Sequence, residues 1–155
     1  MIEQLREELE ADEGIKYEVY LDHLGLKTCG IGHLCKSSDP EFEMEVGDLV
    51  SEERVEELFA TDIAGTLNDC QKLIPDFDML PDSVRKIVGN MCFNLGRKRF
   101  GGFKKMLEAI EDRDWERAAD EMLDSKWARQ LPARSDRLIS RMRAASDNTK
   151  YDELC

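Results

Sequence analysis

No apolar stretch in the 155-residue sequence approaches the roughly 18 residues that a membrane-spanning helix needs. Residues 1–13 are charged and amphipathic, and lack the basic start and apolar run of a signal peptide. The chain is therefore expected to be made in a cytoplasm, with no export route of its own and no stable membrane insertion. Zinc-type spacing is also missing. The five cysteines, Cys29, Cys35, Cys70, Cys92 and Cys155, form no Cys-x-x-Cys pair and no Cys/His array. Their odd number argues against a disulfide framework, so they are read as reduced thiols. Cys92 lies on an apolar helical stripe, and Cys155 is terminal and open to oxidation. The acidic run Asp39, Glu41, Glu43, Glu45 and Asp48 does not have the spacing of an EF-hand loop. No metal or other cofactor is expected. Positive charge is scarce in residues 1–62, where 18 Asp/Glu face 5 Lys/Arg for a net of −13; residues 63–155 carry 16 against 17, a net of +1, giving −12 in all. Phosphate contacts need Lys and Arg, so a nucleic-acid partner is not expected. No internal repeat and no low-complexity segment is present.

What is there belongs to a folded chain, with 41% hydrophobic residues. Strand patterning is confined to residues 15–46, which makes the fold α+β and mostly α. Residues 2–13 read as a short helix, with Ile2, Leu5 and Leu9 on one face and Gly14 as its stop. Residues 15–35 read as a small β-hairpin or three-stranded sheet turning at Gly25. The alternation from Glu41 to Val46 suggests an edge strand or an extended loop. Ser51 caps a helix that Val55, Leu58, Phe59, Ile63, Leu67 and Cys70 sustain to about Ile74, where Pro75 ends it. At 1.5 Å per residue such a helix spans about 33 Å, enough to join two lobes. The most apolar helix runs from Asp82 to a stop at Gly96. Shorter helices follow at about 101–111, 114–123, 125–129 and 133–144, and residues 146–155 form a polar tail.

Three residues could carry chemistry together. Glu13 ends the first helix, where a carboxylate meets the unfavourable negative end of the helix dipole. Asp22 lies near the hairpin turn, a place that Asp also takes for backbone reasons. Thr28 lies on the returning strand, so both can face the helix end that bears Glu13. Two carboxylates flanking a bond, with a hydroxyl to hold a water, are what an inverting glycosidase needs. One must donate a proton and the other must stay ionised.

The segments Asp12-Glu13-Gly14, Tyr20-Leu21-Asp22 and Thr28-Cys29-Gly30-Ile31-Gly32-His33-Leu34 resemble the catalytic segment of the T-even phage lysozyme family, glycoside hydrolase family 24. The likeness continues through Leu58-Phe59 and Asp62, Asn90-Met91 and Phe93, Gly102-Phe103, Trp115 to Ala119, Ser125-Lys126-Trp127, and Pro132 with Arg134 and Arg137, to about residue 145. Residues 36–50 match poorly. The resemblance implies one lysozyme domain with a sheet-bearing N-terminal lobe at 1–62, an inter-lobe helix at 52–74 and a helical lobe at 75–145, with residues 2–13 packing near the last. It implies a muramidase that cuts the β-1,4 bond between N-acetylmuramic acid and N-acetylglucosamine in bacterial peptidoglycan, with inversion, acting as a monomer at the wall after release from the host cytoplasm. Glu13 would be the general acid, and Asp22 with Thr28 would activate water. Gly32, Leu34, Phe93, Asn94 and Phe103 would line a substrate cleft. His33 would pair with Asp62, and Arg134 and Arg137 would lie near Asp12 and Glu13. A non-catalytic peptidoglycan-binding module and a lysozyme-fold bacteriocin domain remain as alternatives. The acidic charge departs from the basic character of the familiar family member.

Overall fold

The computed structural model describes residues 1–154, and the side chains of residues 1–147. Cys155, singled out above, lies outside the described residues. Among those residues the chain forms seven α-helices and one antiparallel sheet, an α+β fold that is mostly α. Two compact units emerge, Ile2–Gly65 and Thr66–Cys155.

The first unit opens with α1 (Ile2–Glu13), in which Leu5 and Leu9, four residues apart, are fully buried. Ile2, on the same sequence stripe, is half exposed. The Gly14 N–H donates to the Glu10 carbonyl at 2.9 Å and closes the helix. The sheet follows, with β1 (Lys16–Leu21), β2 (Lys27–Gly30) and β3 (His33–Leu34) in that order. Tyr20 pairs with Thr28, and Leu21 with Lys27; Thr28 pairs with Leu34, and Cys29 with His33. The β1–β2 register shifts between Lys16 and Tyr20. That irregularity sits where Val19 exchanges backbone hydrogen bonds with Gly47 and Asp48.

The stretch 41–46 is not a strand. Pro40–Glu43 forms a turn of 3-10 helix, and the strand-like contact comes later, as a single bridge between Leu49 and Glu18. The alternation misleads because Glu41, an outward position in a strand reading, is buried at 2% exposure. Its carboxylate takes both arms of the Arg54 guanidinium, Nε at 2.5 Å and Nη2 at 3.1 Å. The Lys27 ammonium donates to the carbonyls of Phe42 and Met44 and fastens the end of the same turn.

Helix α2 (Glu52–Leu73) starts where expected: the Ser51 hydroxyl accepts from the Arg54 N–H at 3.1 Å. The division between the units falls inside it. In the second unit, α3 (Asp82–Gly101) is interrupted at Gly96, which leaves helical backbone, and then resumes for a last turn. Next come α4 (Lys104–Glu111), α5 (Trp115–Leu123), α6 (Lys126–Gln130) and α7 (Pro132–Leu154). Asp114 caps α5 through the Arg117 N–H, and Ser125 caps α6 through the Ala128 N–H. The core of this unit gathers Val84, Ile87, Val88, Met91 and Cys92 of α3 with Phe100, Met106, Ile110, Trp115, Met122, Trp127, Leu138 and Met142. Helix α7 runs well past residue 144, where the apolar spacing thins out.

Gly30 ends β2 with φ +62, and a Cβ there would meet the Val55 side chain at 3.2 Å. Gly30→Ala combines left-handed strain with overpacking and is expected to cost about 2 kcal/mol in urea unfolding. An unchanged unfolding midpoint would contradict that reading of the contact.

Candidate active site

The site is assembled from α1 and the sheet. Glu13 is the last residue of α1, half-buried. Gly32, in the turn between β2 and β3, has φ +62 and lies against it: a Cβ at Gly32 would stand 2.9 Å from Glu13 Oε2 and 3.1 Å from Glu13 Cβ. Only a residue without a side chain lets the β2–β3 turn approach that carboxyl so closely.

Asp22 follows β1 directly. Its Oδ1 accepts from the N–H of Leu24 at 2.8 Å and of Leu26 at 2.9 Å. This ties the carboxylate to the hairpin turn that it helps to form. The Leu26 N–H, and after it the Leu24 N–H and the nearby His23, hold Asp22 below the usual carboxylate range against the opposing effect of burial. Its second oxygen has no hydrogen-bond partner among the described residues.

Thr28 is buried on β2, and its hydroxyl donates to the Leu26 carbonyl at 3.0 Å. It stands in a cross-strand row between Tyr20 of β1 and Leu34 of β3. Directly opposite residues share a face of the sheet, and so do residues two apart on one strand. Tyr20, Thr28 and Leu34 therefore belong to one face, with Leu34 48% exposed on it, and Asp22 comes two residues after Tyr20, just past the end of β1. Tyr20 entered the sequence reading only as part of a motif. Its period-two relation to Asp22 is the signal that points to it. Burial first, then the charges of Glu13, Cys29 and Asp22, raise the phenol above its ordinary value. Tyr20 thus senses both carboxylates.

The flank of the site is held by His33, next to Gly32. Its Nδ1 lies 2.7 Å from Asp62 Oδ2 on α2, and its Nε2 lies 2.8 Å from Asp39 Oδ2. The Asp62 pair follows the resemblance. Asp39 was missed, because it belongs to the poorly matching stretch 36–50. Asp39 also accepts from the Lys36 N–H at 2.8 Å and lies 3.9 Å from Arg54. With a carboxylate at each ring nitrogen, His33 donates from both as an imidazolium. Burial pushes its pKa down, but hydrogen bonds to Asp62 and Asp39 push harder, and the net shift is upward. Asp39 moves down: burial opposes this, and the Lys36 N–H and His33 outweigh it. Buried beneath the same sheet, the Cys29 and Cys35 sulfurs are 3.9 Å apart, and burial foremost raises the Cys29 thiol to about 12. Such thiols are poor nucleophiles.

The other residues proposed for the cleft lie in the second unit. The Asn94 Oδ1 accepts from the Trp127 indole N–H at 2.9 Å. Phe103 stacks on Phe100, with centroids 6.1 Å apart, and meets Trp127 edge-on at 6.5 Å. Phe93 is half-buried on α3. Arg134 donates through Nε to the Oδ1 of fully buried Asn90 at 2.9 Å, which fixes the start of α7 against α3.

A family model for phage lysozyme matches residues 10–145. The chain is similar to probable T4-type lysozyme 2 of Dictyostelium discoideum, 34% identical over 159 residues that cover 90% of this chain and 94% of the relative. It is 28% identical to the pre-baseplate central spike protein Gp5 of Enterobacteria phage T4, over 86% of this chain and 26% of that one. It is likewise 28% identical to the peptidoglycan hydrolase gp36 of Pseudomonas phage phiKMV, over 88% of this chain and 15% of that protein.

The His33 cluster makes stability depend on pH. A raised histidine stabilises fully below its unfolded value and loses this as pH climbs through the folded one. A depressed Asp39 stabilises above its unfolded value and loses this as pH falls. The cluster contributes most between roughly pH 4 and 6.5. His33→Asn is expected to lose about 3 kcal/mol in urea unfolding in that window and to flatten the decline on the alkaline side. A loss equal at every pH from 5 to 9 would contradict the charged pairing.

Proposed function

The chain belongs to the phage lysozyme family and is a glycoside hydrolase, and from that premise we propose that it cuts the β-1,4 bond between N-acetylmuramic acid and N-acetylglucosamine of bacterial peptidoglycan, with inversion. Host-cell lysis is the biological use that this reading assigns. The observation that carries it is the seating of Gly32 against the Glu13 carboxyl, next to the hairpin whose β2 bears Thr28 and whose turn begins at Asp22.

In this mechanism Glu13 is the general acid and gives its proton to the leaving glycosidic oxygen. Asp22 is the base. With Oδ1 engaged by two backbone N–H groups, its Oδ2 takes one hydrogen of the attacking water. The Thr28 hydroxyl spends its own hydrogen on the Leu26 carbonyl, so its oxygen accepts the water's second hydrogen. With both hydrogens held by acceptors, a lone pair of the water is aimed at the anomeric carbon, on the side away from the leaving group. The new C–O bond forms as the old one breaks. Asp22 ends with the water's proton, Glu13 ends ionised, and exchange with solvent resets both. The depressed pKa of Asp22 keeps it ionised beside an acid that must carry its proton, the division of roles such a pair requires. Gly32 and Leu34 would support the sugar beside this site, and Phe93, Asn94 and Phe103 remain candidates for further contacts.

The test uses purified Gram-negative peptidoglycan and counts new reducing ends. The wild type is expected to release soluble muropeptides. Glu13→Gln keeps the shape and removes the proton, and should lower the rate about a thousandfold or more. Asp22→Asn is expected to fall by about a hundredfold or more. No new reducing ends from the wild type would end the hydrolase reading, and an undiminished Glu13→Gln would end the assignment of the acid.

A further inference from the structure

Tyr20 has a polar group that the mechanism above does not use. It lies on β1 two residues before Asp22, which begins the hairpin turn, and stands directly opposite Thr28 on β2, so it shares a sheet face with Thr28. The Lys16 ammonium lies over its ring, 4.2 Å from the centroid, which fixes the ring by a cation–π contact. The side chain is half-buried, yet its hydroxyl has no hydrogen-bond partner among the described residues. The ring is therefore held while the O–H is left available, on the face that carries Thr28. Burial first, and then the surrounding charges, favour the protonated phenol, so it is a donor at any ordinary pH. The two groups assigned to the water both accept: the Asp22 carboxylate, and a Thr28 oxygen whose hydrogen is spent on Leu26. A saccharide presents hydroxyl, ring and acetamido oxygens, and needs a donor among these acceptors to fix its orientation.

We propose that Tyr20 is a substrate-binding residue, whose hydroxyl donates a hydrogen bond to an oxygen of the sugar bound beside Asp22 and Thr28. This rests on the lysozyme reading given above. Lys16 braces the ring and makes no contact with the sugar of its own in this scheme. A bond of this kind is present both before and during the reaction, so its loss weakens binding more than it slows the chemistry.

The experiment compares wild type, Tyr20→Phe and Glu13→Gln on solubilised peptidoglycan strands, with steady-state kinetics from acid to neutral pH and thermal unfolding of each protein. Tyr20→Phe removes one oxygen and keeps the ring over which Lys16 lies. The expected result is a KM raised about tenfold, the worth of one neutral hydrogen bond, with kcat, its pH profile and the unfolding midpoint unchanged. An unchanged KM would overturn the proposal. So would a shifted acid limb of the kcat profile, which would assign the hydroxyl to Glu13, or a lowered unfolding midpoint, which would make it a packing group. An inactive wild type would instead defeat the lysozyme reading itself. Tyr20→Phe failing to differ from wild type while Glu13→Gln is inactive would leave that reading standing and remove only Tyr20.

Discussion

His33, gripped between Asp62 and Asp39, is the interaction on which the first unit depends. It is one short strand's link to two other elements, α2 on one side and the stretch 36–50 on the other. Arg54 extends the network, joining buried Glu41 and exposed Glu57 and approaching Asp39. A buried charge without partners would be strongly unfavourable, whereas here each charge meets an opposite one. The geometry is directional as well, because an imidazolium can satisfy two carboxylates only when they lie on opposite sides of its ring. β3 is thereby held in one place, and Gly32, the residue before it, is held against Glu13.

The catalytic reading grows from that placement. A helix end supplies one carboxyl, and a hairpin supplies the other together with a hydroxyl. Backbone N–H groups of the hairpin turn fix Asp22, and a backbone carbonyl of the same turn, that of Leu26, fixes Thr28. The Leu26 peptide neighbourhood thus orients both groups to which the proposed mechanism assigns the water. The unit that bears these groups is also the acidic one, with a net charge of −13 over residues 1–62. Ion pairs explain part of that charge: Asp39, Glu41 and Asp62 are structural. That part of the acidity holds this unit's loops together.

Local pattern made the helices and the hairpin legible. Leu5 and Leu9 mark α1, Ser51 and Pro75 bracket α2, and the glycines at 14, 25 and 96 mark ends and turns. Long-range pairing was not legible. Alternation from Glu41 to Val46 looks like a strand only while Glu41 is assumed to face water, and its partner Arg54 stands well outside any local window. Asp39 is hidden for the same reason. Glu13, Asp22 and Thr28 each look ordinary alone, and only their joint spacing makes them candidates. Tyr20 could have been read from its alternation with Asp22, but nothing local shows that its hydroxyl lacks a partner. For Asn94 and Phe103, candidates on the resemblance, long-range pairing adds the Trp127 hydrogen bond to Asn94 and the ring contacts of Phe103 with Phe100 and Trp127.

The central claim is that a water held by Asp22 and Thr28 attacks opposite the bond that Glu13 protonates. The stereochemistry of the first product reports on this directly. Proton NMR of the anomeric region, recorded during the first minutes of digestion of soluble peptidoglycan strands, distinguishes the two anomers before they equilibrate. The account predicts that the newly formed N-acetylmuramic acid ends appear as the α-anomer. Initial appearance of the β-anomer would mean that configuration is retained, and would contradict direct attack by the water.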